Sequence, residues 1–304
     1  MRKYTYSIII CAYNEEKNIG LLLQDIIDQK INNNFILENI KVVSDGSTDR
    51  TNEIVERFMR KDNKIKLMIN QERLGKAKSF NVGKKEIKSD FLISLDADII
   101  LENERTLESL LDIKNYNDIG LIGGQPSPIN ETNKNVAILA SLFSYNIVYK
   151  IKKQIRNGNN FFSSHGRILA LSKNLYEKIE IPDLPGTDQF MYFFCLKNNL
   201  KFVYQESAKV FYKVPNKIRD YIKQNTRFRA AENLMRKLFG ENFVNTEISI
   251  PFSVKLKSIG ITSIRHPIQF LSWKILYLFG KCKYNLFSES GKSSGKWEIS
   301  KSTK

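Results

Sequence analysis

A chain of 304 residues with 42% hydrophobic content can bury a full core, which excludes an intrinsically disordered protein and fits one large domain with an appendage. Its net charge of +16 is unevenly placed: residues 201–304 hold 20 Lys or Arg against 7 Asp or Glu, so attraction to an anionic surface belongs to the C-terminal third. Cys11, Cys195 and Cys282 lack metal-ligand spacing and His165 and His266 are the only histidines, a composition that fits a reduced cytoplasmic setting and excludes a zinc site.

The first six residues reach a strand without an apolar segment and cleavage site, so secretion is not expected. A β-prone run over residues 6–12 is followed by Ile19, Leu22, Leu23, Ile26 and Ile27 at helical spacing, which makes a βα unit. The pattern recurs with strands at 40–43, 65–70 and 91–95 and helices at 48–60, 76–87 and 103–114. Such alternation predicts a mainly parallel sheet covered on both faces, with ligands bound beyond the carboxyl ends of its strands. A fifth strand is expected at 119–123 and a Gly/Pro loop at 123–128, after which the alternation ends. Beyond it the spacing predicts a helix over 135–155, a strand over 166–171, a helix over 188–198, a short sheet from 201–204 and 208–212, and a basic helix over 218–239. Residues 251–264 do not resolve into one type, and the Ser/Lys-rich 288–304 reads as a frayed end.

Three acidic motifs sit at the expected strand ends: Ala12-Tyr13-Asn14-Glu15, Asp45-Gly46-Ser47-Thr48-Asp49 and Asp96-Ala97-Asp98. Their loops would therefore emerge at one edge of one sheet. Each acid also has a plain structural role open to it. Ser47, Thr48 and Asp49 are good capping residues, and Glu15 fits the first turn of a helix through the helix dipole. With Gly75-Lys76-Ala77, Thr187-Asp188 and Gln224-Asn225-Thr226-Arg227-Phe228, the motifs resemble the inverting, family-two glycosyltransferases of the GT-A fold, from Ser7 to Phe228.

That resemblance implies a Rossmann-like α/β fold and an enzyme that moves a sugar from a nucleotide-diphosphate donor to an acceptor hydroxyl. It surrounds the donor with Ala12, Tyr13, Glu15, Asp45, Arg73, Lys76, Asp96 and Ala97. Asp96 would face the ribose and Asp98 would hold the metal. Mn²⁺ or Mg²⁺ suits such a site, because hard cations take one or two carboxylates together with phosphate oxygens. Arg73 and Lys76 flank Gly75 ahead of a helix, which brings positive charge and backbone donors toward phosphate, although most cations of so basic a chain are simply solvated. Asp188 would be the base that takes the acceptor proton, or else a helix cap. Here Thr187 stands where the family more often has Glu. His165, Gly166, Arg167, Gln224, Arg227 and Phe228 are expected at the acceptor or the diphosphate, with a plain turn and a basic helix face as the alternatives. Phe228 replaces the Trp of polymerising members, which argues against processive synthesis.

The chain divides into a nucleotide-sugar half (1–123), an acceptor half of the same catalytic domain (124–240) and a basic, aromatic extension (241–304). Residues 267–280 fall short of the ~20 apolar residues a spanning helix needs and carry Lys274. Basic residues mixed with Trp and Tyr suit an interfacial helix on an anionic membrane surface, and they equally suit a helix packed on the catalytic domain. The acceptor is expected to be a glycan or a lipid-linked precursor, met in the cytoplasm or peripherally at the inner face of the membrane. No nucleic-acid motif is present. A polyprenyl-phosphate glycosyltransferase is the alternative reading. A sugar nucleotidyltransferase and a non-catalytic membrane- or RNA-binding protein are more distant ones.

Overall fold

The computed structural model describes residues 3–129 and 134–288, with side chains placed as far as Gly280. The frayed end expected at 288–304, all but its first residue, and the side chains of Cys282 and its neighbours lie outside the described residues. The first half alternates as β1 (Tyr4–Ala12), α1 (Ile19–Ile27), β2 (Phe35–Asp45), α2 (Thr51–Met59), β3 (Ile65–Asn70), α3 (Lys76–Lys84), β4 (Phe91–Asp96), β5 (Ile99–Leu101) and α4 (Thr106–Leu111). The second runs β6 (Ile119–Pro128), α5 (Val136–Gln154), β7 (Ile168–Ser172), α6 (Lys173–Tyr176), α7 (Thr187–Lys197) and β8 (Lys201–Tyr212). Four helices close the described chain: α8 (Ile218–Phe239), α9 (Glu241–Ile248), α10 (Phe252–Arg265) and α11 (Pro267–Ser288).

All eight strands form one sheet in the order β3-β2-β1-β4-β7-β6-β8-β5. The first four are mutually parallel, as alternation with helices requires. β7 then runs antiparallel between β4 and β6, and β8 pairs parallel with β6 and antiparallel with β5. The short sheet expected from 201–204 and 208–212 is instead the single strand β8. Its exposed Glu206 and Ser207 interrupt the apolar pattern, and a register shift opposite Gly123 and Gln125 absorbs the extra residues as a bulge.

The period of two along each strand sends neighbours to opposite faces. Ile8, Ile10, Val42 and Ile93 join the core under α1, α2 and α4, whereas Ile9, Val43 and Leu92 join the core under α3, α6 and α7. Full burial of these branched side chains on both faces fixes the register and holds the carboxyl ends of β1, β2 and β4 side by side. α2 begins at Thr51 rather than 48, with Arg50 at its N-cap and the Asp49 carboxylate just before it accepting from Thr51 N at 3.0 Å.

Candidate active site

One cavity opens at the carboxyl ends of β1, β2 and β4, and every site residue expected from the sequence lines it. Two loops frame its nucleotide side. Asn14 adopts a left-handed φ of 53°, its Nδ2–Oδ1 amide bonds to Thr48, and its backbone N donates to Ser47 Oγ at 3.1 Å. Glu15 N donates to Thr51 Oγ1 at 2.8 Å, and the Glu15 carboxylate accepts from Asn18. The loops after β1 and β2 thus brace each other. Asp45 lines the same wall with its carboxylate already occupied: it accepts from Leu74 N at 2.7 Å, Gly75 N at 2.9 Å, Ser79 Oγ at 2.9 Å and Asn70 Nδ2 at 3.2 Å. It organises the strap between β3 and α3. That strap presents Arg73, whose guanidinium lies 4.4 Å from the centre of the Tyr13 ring.

At the cavity floor Lys76 Nζ is bonded to Asp96 Oδ1 and donates to Gly166 O at 3.3 Å. Burial would pull Lys76 down, but Asp96 first, then Cys11 and Asp188, outweigh it and raise its pKa, so the ammonium is retained. Asp98 sits on the turn that joins β4 to β5, one residue from the buried Ala97. Among the described residues no group of three or more His, Cys, Asp or Glu gathers as a metal cage. A pair of carboxylates without such a cage fits a hard cation completed by phosphate oxygens and water. Cys11 also lines the cavity, yet burial pushes its thiol up to about 12, which makes it inert as a nucleophile.

The opposite wall comes from β7, α7 and α8. Gly186 precedes α7 at φ 79°, and a Cβ there would meet Ala231 Cβ at 2.6 Å, so glycine alone permits this approach of α7 to α8. The turn aims Asp188 into the cavity, where Oδ2 accepts from Gly166 N at 3.1 Å. Arg227, one helical turn from Gln224 on α8, is drawn down by burial while Asp188, Asp96 and Asp98 push it back up. It therefore lies within electrostatic reach of both acidic clusters. Phe228 stands at the rim, 37% exposed.

Sequence reasoning missed the support beneath Arg167. Its guanidinium carbon lies 3.5 Å from the centre of the Tyr212 ring, while Nη1 lies 3.0 Å and 3.2 Å from the two nitrogens of His165. Equal approach to both nitrogens places the guanidinium over the ring face rather than in its plane. The two ring centres are 6.4 Å apart, so Arg167 is layered between them. Burial, then Arg167, Lys152, Lys76 and Arg227, hold His165 well below its ordinary 6.5, so the imidazole is neutral. Tyr212 ends β8, 45 positions from Arg167 in sequence, and only the pairing of β8 into the sheet brings it near.

The family profile described as Glycosyl transferase family 2 matches residues 7–179. The chain belongs to that family. A poly-beta-1,6-N-acetyl-D-glucosamine synthase of Staphylococcus epidermidis is 26% identical over 127 residues, 42% of this chain and 30% of that protein. An uncharacterised glycosyltransferase of Haemophilus influenzae is 27% identical over 194 residues, 61% of this chain and 58% of that protein. The chain thus spans between about a third and three fifths of the curated relatives it matches. A mannosyltransferase from Pyrobaculum calidifontis, solved with GDP-Man and Mn²⁺, superposes with a TM-score of 0.58 at 16% identity, covering 96% of this chain and 80% of that one. TarS 1–349 of Staphylococcus aureus with UDP-GlcNAc gives 0.51 at 16%, covering 96% and 93%. Glucosyl-3-phosphoglycerate synthase of Mycobacterium tuberculosis with Mn²⁺ and UDP gives 0.51 at 15%, covering 77% and 80%. These likenesses establish the GT-A fold.

Proposed function

We propose that this family member transfers a sugar, with inversion, from a nucleotide-diphosphate donor to the hydroxyl of a glycan or lipid-linked acceptor beside an anionic membrane. The observation that carries the reading is the placement of Asp188 across one cavity from Asp96 and Asp98, with Arg227 interacting with all three. In this reading residues 1–123 hold the donor and 124–240 the acceptor. Glu15, Asp96 and the Tyr13–Arg73 pair hold the nucleoside, with Ala12 and Ala97 giving it room. Asp45 acts through the strap it anchors. Asp98, assisted by Asp96, would hold Mn²⁺ or Mg²⁺, which supplies neutralisation of the charge that gathers on the departing diphosphate. Binding of donor would draw Lys76 from Asp96 toward phosphate, while Arg167 and Arg227 meet the same charge from the other wall. Asp188 takes the acceptor hydroxyl proton, and the Gly166 N–H fixes which of its oxygens stays free to do so.

Isothermal titration of a nucleotide-sugar panel with and without Mn²⁺ tests the donor half. Metal-dependent binding of one donor, lost in Asp98→Ala, supports it; a folded protein that binds no donor overturns it. A second reading is favoured by Arg167 and Arg227 on the acceptor wall of the cavity: the acceptor is a polyprenyl phosphate, already anionic and in no need of a base. Asp188→Asn separates the two. A hydroxyl acceptor predicts loss of about two to four orders of magnitude in kcat, whereas a phosphate acceptor predicts near-wild-type turnover.

A further inference from the structure

The last two helices carry apolar side chains on both their inner and their outer faces. α10 and α11 pack on α5 through Val254, Ile259, Phe270, Trp273 and Leu276, with small polar residues between them: Lys150 Nζ donates to Thr262 Oγ1 at 2.7 Å, and Gln154 Nε2 donates to Ser258 Oγ at 3.1 Å. Ser258, Thr262 and Ser272 are all buried in this seam. The Thr262 and Ser272 hydroxyls each donate to the carbonyl one turn back, so both are satisfied there. Phe270 and Trp273 complete the seam against Phe143, at ring-centre distances of 5.5 Å and 5.3 Å.

Outward, a second apolar surface is left uncovered. Ile268, Leu271, Ile275, Leu278 and Phe279 of α11 are between 42% and 71% exposed. At roughly 100° per residue they fall in one stripe about 100° wide. On α10, Phe252 is 78%, Leu256 61% and Ile264 83% exposed. Scattered apolar residues on a surface need no explanation, but a continuous apolar face whose Ser and Thr point inward calls for an apolar neighbour. Charge indicates which neighbour: the sequence has no Asp or Glu between Ile248 and Glu289, while Lys255, Lys257, Arg265 and Lys274 are exposed around the stripe. A second copy of the hairpin would set these cations against their own equivalents with no acid to pair them.

We propose that the α10–α11 hairpin lies flat on an anionic lipid bilayer, its apolar stripe at the boundary of headgroups and acyl chains and its four exposed cations among the headgroups. Among the described residues no helix is long and apolar enough to cross a membrane, which matches a hairpin that lies on the surface. The proposal deepens the membrane-side acceptor of the proposed function and rests on that reading for its purpose. α8 links the two, because it packs on α11 through Tyr221 and Leu276 and carries Gln224 and Arg227 into the cavity. Docking would therefore hold the acceptor wall of the cavity beside the lipid surface.

Flotation of the full chain with vesicles of phosphatidylcholine alone, or of equal parts phosphatidylcholine and phosphatidylglycerol, tests this without donor or acceptor. Binding is expected to the anionic vesicles only. Leu271→Glu with Leu278→Glu should weaken it at least about tenfold. Lys255→Gln and Lys257→Gln should weaken it about fivefold for each lost charge. All four side chains are exposed, so an unchanged melting temperature shows that each variant is folded. No binding to either vesicle overturns the proposal. Equal binding to both does so as well, and so does a dimer in solution that the Leu variants dissociate. A failed donor titration would leave the vesicle result standing, and a failed flotation would leave sugar transfer standing.

Discussion

Arg167 is a cation stacked between two rings, and the consequence belongs to its own residue neighbourhood. The Tyr212 face at 3.5 Å stabilises a partly desolvated guanidinium by about 1–2 kcal/mol. Tyr212→Phe keeps the ring face, so its KM should stay within about twofold of wild type. Tyr212→Leu removes the face and should raise KM about tenfold with a smaller change in kcat. Initial rates over a range of donor and acceptor concentrations read this split, and equal KM values for the two variants would sink the positioning role. Gly166 poses a second test at the same scale. A Cβ on it would meet Asp188 Cβ at 3.3 Å and Cγ at 3.4 Å, so Gly166→Ala must displace the proposed base. We expect kcat to fall about tenfold or more with donor binding and melting temperature intact, because misplacing a reacting group costs turnover rather than fold.

At the scale of elements, the strap between β3 and α3 shows why part of the site was legible in the sequence and part was not. The position of Asp45 at the end of a β-prone run was readable, since strand period and turn chemistry are local. Its four donors were not, because Leu74, Gly75 and Ser79 come from a segment that only the β2–β3 pairing brings back. A residue expected to touch the nucleotide also holds the segment that carries Arg73 and Lys76. The same limit explains β8, whose two apolar runs look separate in sequence and join only against β6, and it explains Tyr212 at the end of that strand. The basic helix α8 was readable to its ends at Ile218 and Phe239, because a helical pattern is self-contained. Asp45→Ala would strand the buried Gly75 amide and the half-buried Leu74 amide, a buried donor left unpaired costing about 1–3 kcal/mol. We expect a stability loss of about 3 kcal/mol in urea unfolding, together with weakened donor binding. Donor binding lost at unchanged stability would instead make Asp45 a direct nucleotide contact.

For the whole molecule, the pH dependence of stability carries the mark of one buried cation. Lys152 is 4% exposed; its Nζ bonds Gln125 Oε1 and sits 4.3 Å from the centre of the Tyr204 ring, and no carboxylate among the described residues lies within ion-pair distance. Burial lowers its pKa from 10.5 to about 8, with Glu206 only partly restoring it. Between those two values the unfolded chain holds a proton that the folded chain has released. Stability contributed by this group therefore rises with pH through the window, and below about 8 the folded state carries the full cost of a desolvated ammonium. The buried tyrosines and the two buried thiols, Cys11 and Cys195, act in the opposite sense at alkaline pH, since burial raises each of them, so the wild-type curve alone is ambiguous. Their contribution cancels in a comparison of wild type with Lys152→Met, which keeps the Tyr204 hydroxyl bonded to Gln125 and fills the space with an apolar chain of similar length. The variant should be more stable at pH 7 by about 1–3 kcal/mol, and the advantage should shrink steadily as pH is raised from about 8 toward 10.5. Urea unfolding of both proteins at a series of pH values measures the difference directly. An advantage that does not change with pH would mean that Lys152 holds its proton equally well in the folded and unfolded chains, so that the gain of the variant comes from packing rather than from relief of a desolvated ammonium.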